Sequence, residues 1–130
     1  MKASSAADLE PAFAALVRQR AGAVIVAGDA LLDEAREEVV ALAARYAMPA
    51  MYPARDAVAA GGLVSYGPNI TDAYRQGGIY CGRILAGEKP PELPVMRADL
   101  YELAVNRKTA KALGLELPQG LLAVADEVVE

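Results

Sequence analysis

Five residues have side chains suited to holding a small polar molecule and sit where the chain is expected to turn: Asp29, Tyr52, Ser65, Tyr66 and Asn69. An aspartate at the end of a strand can take a ligand's amino group. A tyrosine can stack on a ring and donate its hydroxyl, and serine and asparagine each donate and accept. What is lacking narrows the chemistry further. The chain has no histidine, which removes the commonest general base and metal ligand. Its one cysteine, Cys81, has no imidazole to activate it and no second thiol for an internal disulfide. Asp33, Glu34, Glu37 and Glu38 fall on the water side of a helical pattern, with no metal-ligand spacing. No glycine loop ending in lysine is present to cradle a phosphate. The net charge of -4, with no basic patch interleaved with aromatics, argues against nucleic acid as the partner. The residues point to a binding module without metal or cofactor, and not to an enzyme.

Each candidate also has a purely structural role. Asp29 can cap a helix, Tyr52 can be a core tyrosine, and Ser65, Tyr66 and Asn69 can simply build a turn. Tyr74, Tyr80 and Cys81 read as packing residues, and Asp126, Glu127 and Glu130 as an acidic tail.

The elements that must position these residues follow from periodicity. The central stretch is Leu63 to Tyr66, a short apolar strand, broken by Gly67-Pro68-Asn69 and followed by a helix to about Leu85. Asn69 or Thr71 can cap that helix, with Asp72 in its first turn. A strand end running into a helix start is where α/β proteins gather polar ligand contacts. Upstream, Ser5-Ala6-Ala7-Asp8 resembles a capping box before a helix with Leu9, Phe13, Leu16 and Val17 on one stripe, stopped by Gly22. Residues 23–27 are a continuous β-branched run, expected to be a buried parallel strand. Asp29 then caps a helix over 31–46 whose apolar side is Leu32, Ala35, Val39, Leu42, Ala43 and Tyr46. A short strand over 49–52 and a short helix over 55–60, closed by Gly61-Gly62, complete the first half. Inside the helix of 71–85, Gly77, Gly78 and Gly82 each cost up to about 1 kcal/mol relative to alanine. That implies close contact with another backbone, through a face made by Ala73, Gly77, Tyr80, Cys81 and Ile84. Downstream come a strand over 100–105, a helix over 108–113 capped by Asn106 and stopped by Gly114, and a last helix from Pro118 through Val128. With 130 residues, 55% of them hydrophobic, the chain can bury a real core as one small domain. No run reaches the roughly 18 apolar residues of a membrane span, and residues 1–8 lack an apolar signal-peptide core.

Blocks along nearly the whole chain also carry a family resemblance. Gly61 to Ile70, Asp72 to Gln76, Gly82 to Pro90, Leu93-Pro94-Val95, Glu102 to Asn106 and Lys108 to Leu115 occur in order, followed by Pro118, Leu121-Leu122 and Ala125 to Val128. Together they resemble the substrate-binding components of bacterial ABC-type importers of the tryptophan/tyrosine type. The resemblance implies an α/β fold: a mostly parallel sheet flanked by helices in three layers, one incomplete lobe of a type I periplasmic-binding-protein-like architecture. It implies that residues 1–130 are the later part of a two-lobed protein that closes on an amino acid or similar small molecule and delivers it to an ABC permease. The family's pattern places the turn at Ser65, Tyr66 and Asn69 beside the hinge and cleft. It implies a periplasmic or extracytoplasmic location, although this chain shows no export signal of its own. It also implies that the helix over 71–86 belongs to the other lobe or to the hinge, so that the chain on its own would expose apolar surface and form a homodimer.

Overall fold

The computed structural model describes residues 5–97 and 99–130. The first four residues, part of the stretch read for an export signal, lie outside them. By its contacts the chain divides into two compact units: residues 1–67 with 102–130, and residues 68–101.

The first unit carries a mostly parallel sheet of five strands in the order β1 (Val24–Ile25), β2 (Ala50–Tyr52), β3 (Val64–Pro68), β4 (Tyr101–Asn106), β5 (Glu127–Val129). β1 pairs parallel with β2, β2 with β3, and β4 with β5. β3 and β4 run antiparallel. Asn106 N–H donates to Leu63 O and Asn69 N–H to Leu100 O, so one strand rises in number as the other falls.

Helices flank the sheet because their apolar stripes need cover. The helix α1 (Leu9–Arg18) buries Leu9 and Phe13. It begins after a capping box at Ser5 and Asp8, in which the Asp8 carboxylate accepts from both the N–H and the hydroxyl of Ser5. Its stop is Arg20, not Gly22. Arg20 takes a left-handed φ of 56° while Arg20 N–H and Ala21 N–H close back onto the carbonyls of Val17 and Leu16. The helix expected over 31–46 is two: α2 (Ala30–Glu34) and α3 (Arg36–Arg45), broken at Ala35. Val39, Val40, Leu42 and Ala43 of α3 join Leu9, Phe13, Met48, Ala50 and Tyr52 in the core. Phe13 stacks on Tyr46 with ring centroids 6.1 Å apart. The short α4 (Arg55–Ala59) buries Ala57 and Val58.

Two further expectations are corrected. The run over 23–27 is a two-residue edge strand, not a buried one, and Ile25 is 78% exposed. An edge strand covered on one face alternates in burial, which a run of apolar residues does not reveal. The last helix does not run through Val128. After α6 (Arg107–Ala112) and α7 (Gln119–Val124) the chain turns into β5. The supposed acidic tail is therefore structural. The Asp126 carboxylate accepts from Leu103 N–H at 2.8 Å, Arg55 pairs with Glu127 at 3.3 Å, and Arg107 pairs with Glu130 at 3.1 Å.

The second unit holds the helix α5 (Ile70–Leu85), a 3-10 turn at Pro90–Glu92 and the segment that leads back toward β4. No described residue of α5 is buried. Cys81, expected on a packed face, is an exposed free thiol. A Cβ built on Gly77, Gly78 or Gly82 meets nothing within 4 Å, so the backbone neighbour those glycines imply is not within this chain's described residues. Tyr80 donates its hydroxyl to Pro94 O at 2.6 Å, which ties the return segment to the helix.

Candidate functional site

In the first unit the carboxyl ends of β1, β2 and β3 draw together. A Cβ on Gly28, just past β1, would lie 3.9 Å from Pro53 Cβ, just past β2. A Cβ on Gly67, in β3, would lie only 1.8 Å from Pro53 O. At position 67 only glycine allows the backbones this close, whereas a Cβ at position 28 would make ordinary contact. The edge so formed is where open parallel sheets place ligands.

Asp29 stands on this edge, exposed, in an extended conformation (φ -148°, ψ 141°). Its Oδ1 accepts from Leu31 N–H at 2.9 Å and caps α2. Tyr52 and Ser65 are register partners across β2 and β3, so their side chains point to the same face. Both are buried, Tyr52 to 3% exposure and Ser65 to 1%. The Tyr52 ring lies against Gly62, where an added Cβ would come within 2.7 Å of Cε2. Neither the Tyr52 hydroxyl nor the Ser65 hydroxyl has a hydrogen-bond partner among the described residues. Burial pushes the Tyr52 phenol up to about 12, because the phenolate would lose its water. Tyr66 follows Ser65 in the strand and therefore points to the opposite face, where it is 52% exposed. Consecutive residues of one strand cannot line one face, which a grouping by sequence proximity overlooks.

Asn69 belongs to the second unit. Its Oδ1 accepts from Asp72 N–H at 2.7 Å and caps α5. The Asp72 carboxylate in turn takes Arg75 through Nε at 2.9 Å and Nη2 at 2.6 Å. These three residues, with Tyr80, Arg97 and Asp99, line a groove of about 460 Å³ within that unit. Asp72, Arg75, Arg97 and Asp99 were not among the residues singled out from sequence. The available signal was the Asp72–Arg75 spacing, three apart on one helix face. No cluster able to hold a metal ion occurs among the described residues, and none of the described helices is long and apolar enough to cross a membrane.

The sequence profile of the ABC transporter substrate binding protein family matches residues 1–129. The chain belongs to that family. Solved structures share its fold. One is a conserved domain protein from Vibrio cholerae O1 biovar El Tor, 26% identical with a TM-score of 0.89, over 98% of this chain and 43% of that one. A second is an ABC domain from Streptococcus pneumonia in complex with L-Trp, 23% identical with a TM-score of 0.89, over 99% of this chain and 43% of that one. A third is the ligand-free, open structure of a substrate binding protein with adhesive properties from Clostridium difficile, 23% identical with a TM-score of 0.66, over 98% and 42%. This substrate-binding-family chain thus spans less than half the length of the solved structures it matches. None of the curated proteins matches it.

Proposed function

We propose that this chain is the C-terminal portion of a two-lobed solute-binding protein serving an ABC importer, and that it takes part in holding an amino acid or similar small carboxylate. One observation carries the reading: the contact of Gly28 with Pro53 and the close approach of Gly67 to Pro53 bring three strand ends together next to the exposed Asp29. Asp29 would take the ligand's ammonium through the carboxylate oxygen that does not cap α2. Tyr66, half exposed on the other face of β3, offers its ring. Tyr52 and Ser65 lie behind the edge and would reach a ligand only after local opening. Asn69 lines a separate groove in its own unit. The neighbour solved with L-Trp supports the ligand class, and family membership supports an ABC permease as the partner and an extracytoplasmic site of action. With less than half of the relatives' length present, affinity for a free amino acid is expected to be weak, in the millimolar range.

The test is a two-dimensional NMR titration of the 130-residue chain with each of the twenty amino acids. The expected result is a saturable shift of the backbone amides of Asp29, Leu31 and Tyr66 with at least one of them. Shifts confined elsewhere, or none with any amino acid, would overturn the reading. A second reading, a self-associating α/β unit without transport activity, is favoured by the absence of any buried residue on α5.

A further inference from the structure

The groove in the second unit is walled by charges of both signs, and we propose that it is a separate site for a small zwitterion, a molecule with one ammonium and one carboxylate on an apolar body. Every residue that lines it lies within 69–100, so its shape is set inside that unit alone. Its volume of about 460 Å³ is within the range of small-molecule pockets.

The charges on its walls fall into two sets. Asp72 and Arg75 satisfy each other, since the Asp72 carboxylate takes Arg75 through Nε at 2.9 Å and Nη2 at 2.6 Å. Arg97 and Asp99 differ. They stand two positions apart and line the same groove, yet neither pairs with the other or with any further group among the described residues. Arg97 can take a carboxylate through two parallel N–H groups, and Asp99 can take an ammonium.

The balance of charge selects the class of ligand. Asp72 and Asp99 offset Arg75 and Arg97, so the groove carries no net formal charge. A simple anion gains at Arg97 but is repelled by Asp99, and a simple cation meets the reverse. Only a ligand with both charges gains at both residues.

The remaining walls suit an apolar body. Met96 is 50% and Leu100 55% exposed, and both line the groove on either side of the charged pair in sequence. Tyr80 is fixed in place: its hydroxyl donates to Pro94 O at 2.6 Å, and the Arg83 guanidinium lies 5.7 Å from its ring centroid. A ring anchored in this way loses little freedom when a ligand arrives. An aromatic or long aliphatic body gains more from these walls than a small polar one.

The experiment is an NMR titration of the chain with three compounds of similar shape: L-phenylalanine, phenethylamine, which lacks the carboxylate, and 3-phenylpropionate, which lacks the ammonium. The Nε–H signals of Arg75 and Arg97 and the backbone amide of Tyr80 report the groove. The backbone amides of Asp29 and Leu31 report the strand edge, so the two sites are read apart. The expected result is a saturable shift of the groove signals with L-phenylalanine, and affinity weaker by about fivefold or more for each one-charge compound. Arg97→Gln and Asp99→Asn each remove one unpaired charge from an exposed position, and circular dichroism checks that the fold is kept. Arg97→Gln should no longer distinguish L-phenylalanine from phenethylamine, and Asp99→Asn should no longer distinguish it from 3-phenylpropionate. Equal binding of 3-phenylpropionate by the wild-type chain would overturn the proposal in favour of an anion site, and equal binding of phenethylamine in favour of a cation site. Groove signals that do not move would overturn it even where the strand edge responds. Groove signals that move while the strand edge stays silent would support it and refute the strand-edge reading alone.

Discussion

Replacing Gly67 by alanine should be the most damaging single-methyl change in the chain. The added Cβ would lie 1.8 Å from Pro53 O and 2.9 Å from Pro53 C, and both are backbone atoms with no rotamer to yield. To reach even the 3.0 Å limit of real contacts, the end of β2 and β3 must separate by at least 1.2 Å (3.0 less 1.8). A movement of that size strains the ladder that pairs Met51 with Val64 and Tyr52 with Ser65. Losing one ladder hydrogen bond costs about 0.5–1.5 kcal/mol, and overpacking adds about 1–3 kcal/mol. The expected loss is about 2–4 kcal/mol, a large share of the stability of a domain this size. At about 3–4 °C per kcal/mol, Tm should fall by about 6–16 °C. Urea unfolding followed by circular dichroism measures the loss directly.

Gly77→Ala is the matched control, because the same methyl there meets open space in the middle of a helix. It should stabilise α5 by about 0.5–1 kcal/mol, read as slower amide exchange across that helix. Gly67→Ala unfolding within about 0.5 kcal/mol of the wild-type chain would refute the argument that backbone contact, rather than flexibility, fixes glycine at position 67.

Three other changes have clear outcomes. Tyr52→Phe removes a buried hydroxyl that has no partner among the described residues, so it should leave stability unchanged or raise it by up to about 1 kcal/mol in urea titration. Because the folded phenol titrates near 12 and the unfolded one near its ordinary value of 10, the wild-type chain should lose stability as pH rises from about 10 through 12, and Tyr52→Phe should not share that part of the loss. Asn106 accepts from Thr109 N–H and donates to Val58 O, so Asn106→Ala should cost about 1–3 kcal/mol in the same assay, and Asn106→Asp, which keeps the cap acceptor but sets a buried carboxylate against Val58 O, should cost no less. Arg20→Gly should stabilise the chain by about 1 kcal/mol in the same urea assay, since Arg20 holds a left-handed conformation that glycine takes without strain.

The parts of the fold that were legible in sequence are those fixed locally. Asn69 and Asn106 cap the helices they were expected to cap, and Asp29 caps the helix after β1. The stripe from Val39 to Tyr46 faces the core as its spacing requires. The parts that were not legible are fixed by partners distant in the chain. Residues 121–128 fit a helical stripe as well as they fit a helix followed by a strand. What decides is the pairing of Ala104, Val105 and Asn106 with Glu127, Val128 and Val129. The run over 23–27 could not announce that it lies at a sheet edge, and Ala35 carries no glycine or proline to signal a break between α2 and α3. The candidate site divides in the same way. The turn at Gly67-Pro68-Asn69 is written in residue types. The burial of Tyr52 and Ser65 and the opposite facing of Tyr66 depend on the register of β2 against β3.

Capping and ligand contact make separable demands on Asp29, and that separation gives the sharpest test of the proposed site. The cap needs one neutral acceptor, the Oδ1 that Leu31 N–H reaches at 2.9 Å. An asparagine supplies that acceptor equally well, since asparagine and aspartate rank together at this position. A ligand ammonium needs the negative charge, which asparagine lacks. Asp29→Asn should therefore leave the urea midpoint unchanged to within about 0.5 kcal/mol and abolish the amino-acid-dependent NMR shifts at the strand edge. Asp29→Ala should lose both the shifts and about 1 kcal/mol of stability. If Asp29→Asn instead binds as the wild-type chain does, the carboxylate serves the helix alone, and the ligand's amino group must be sought at another residue.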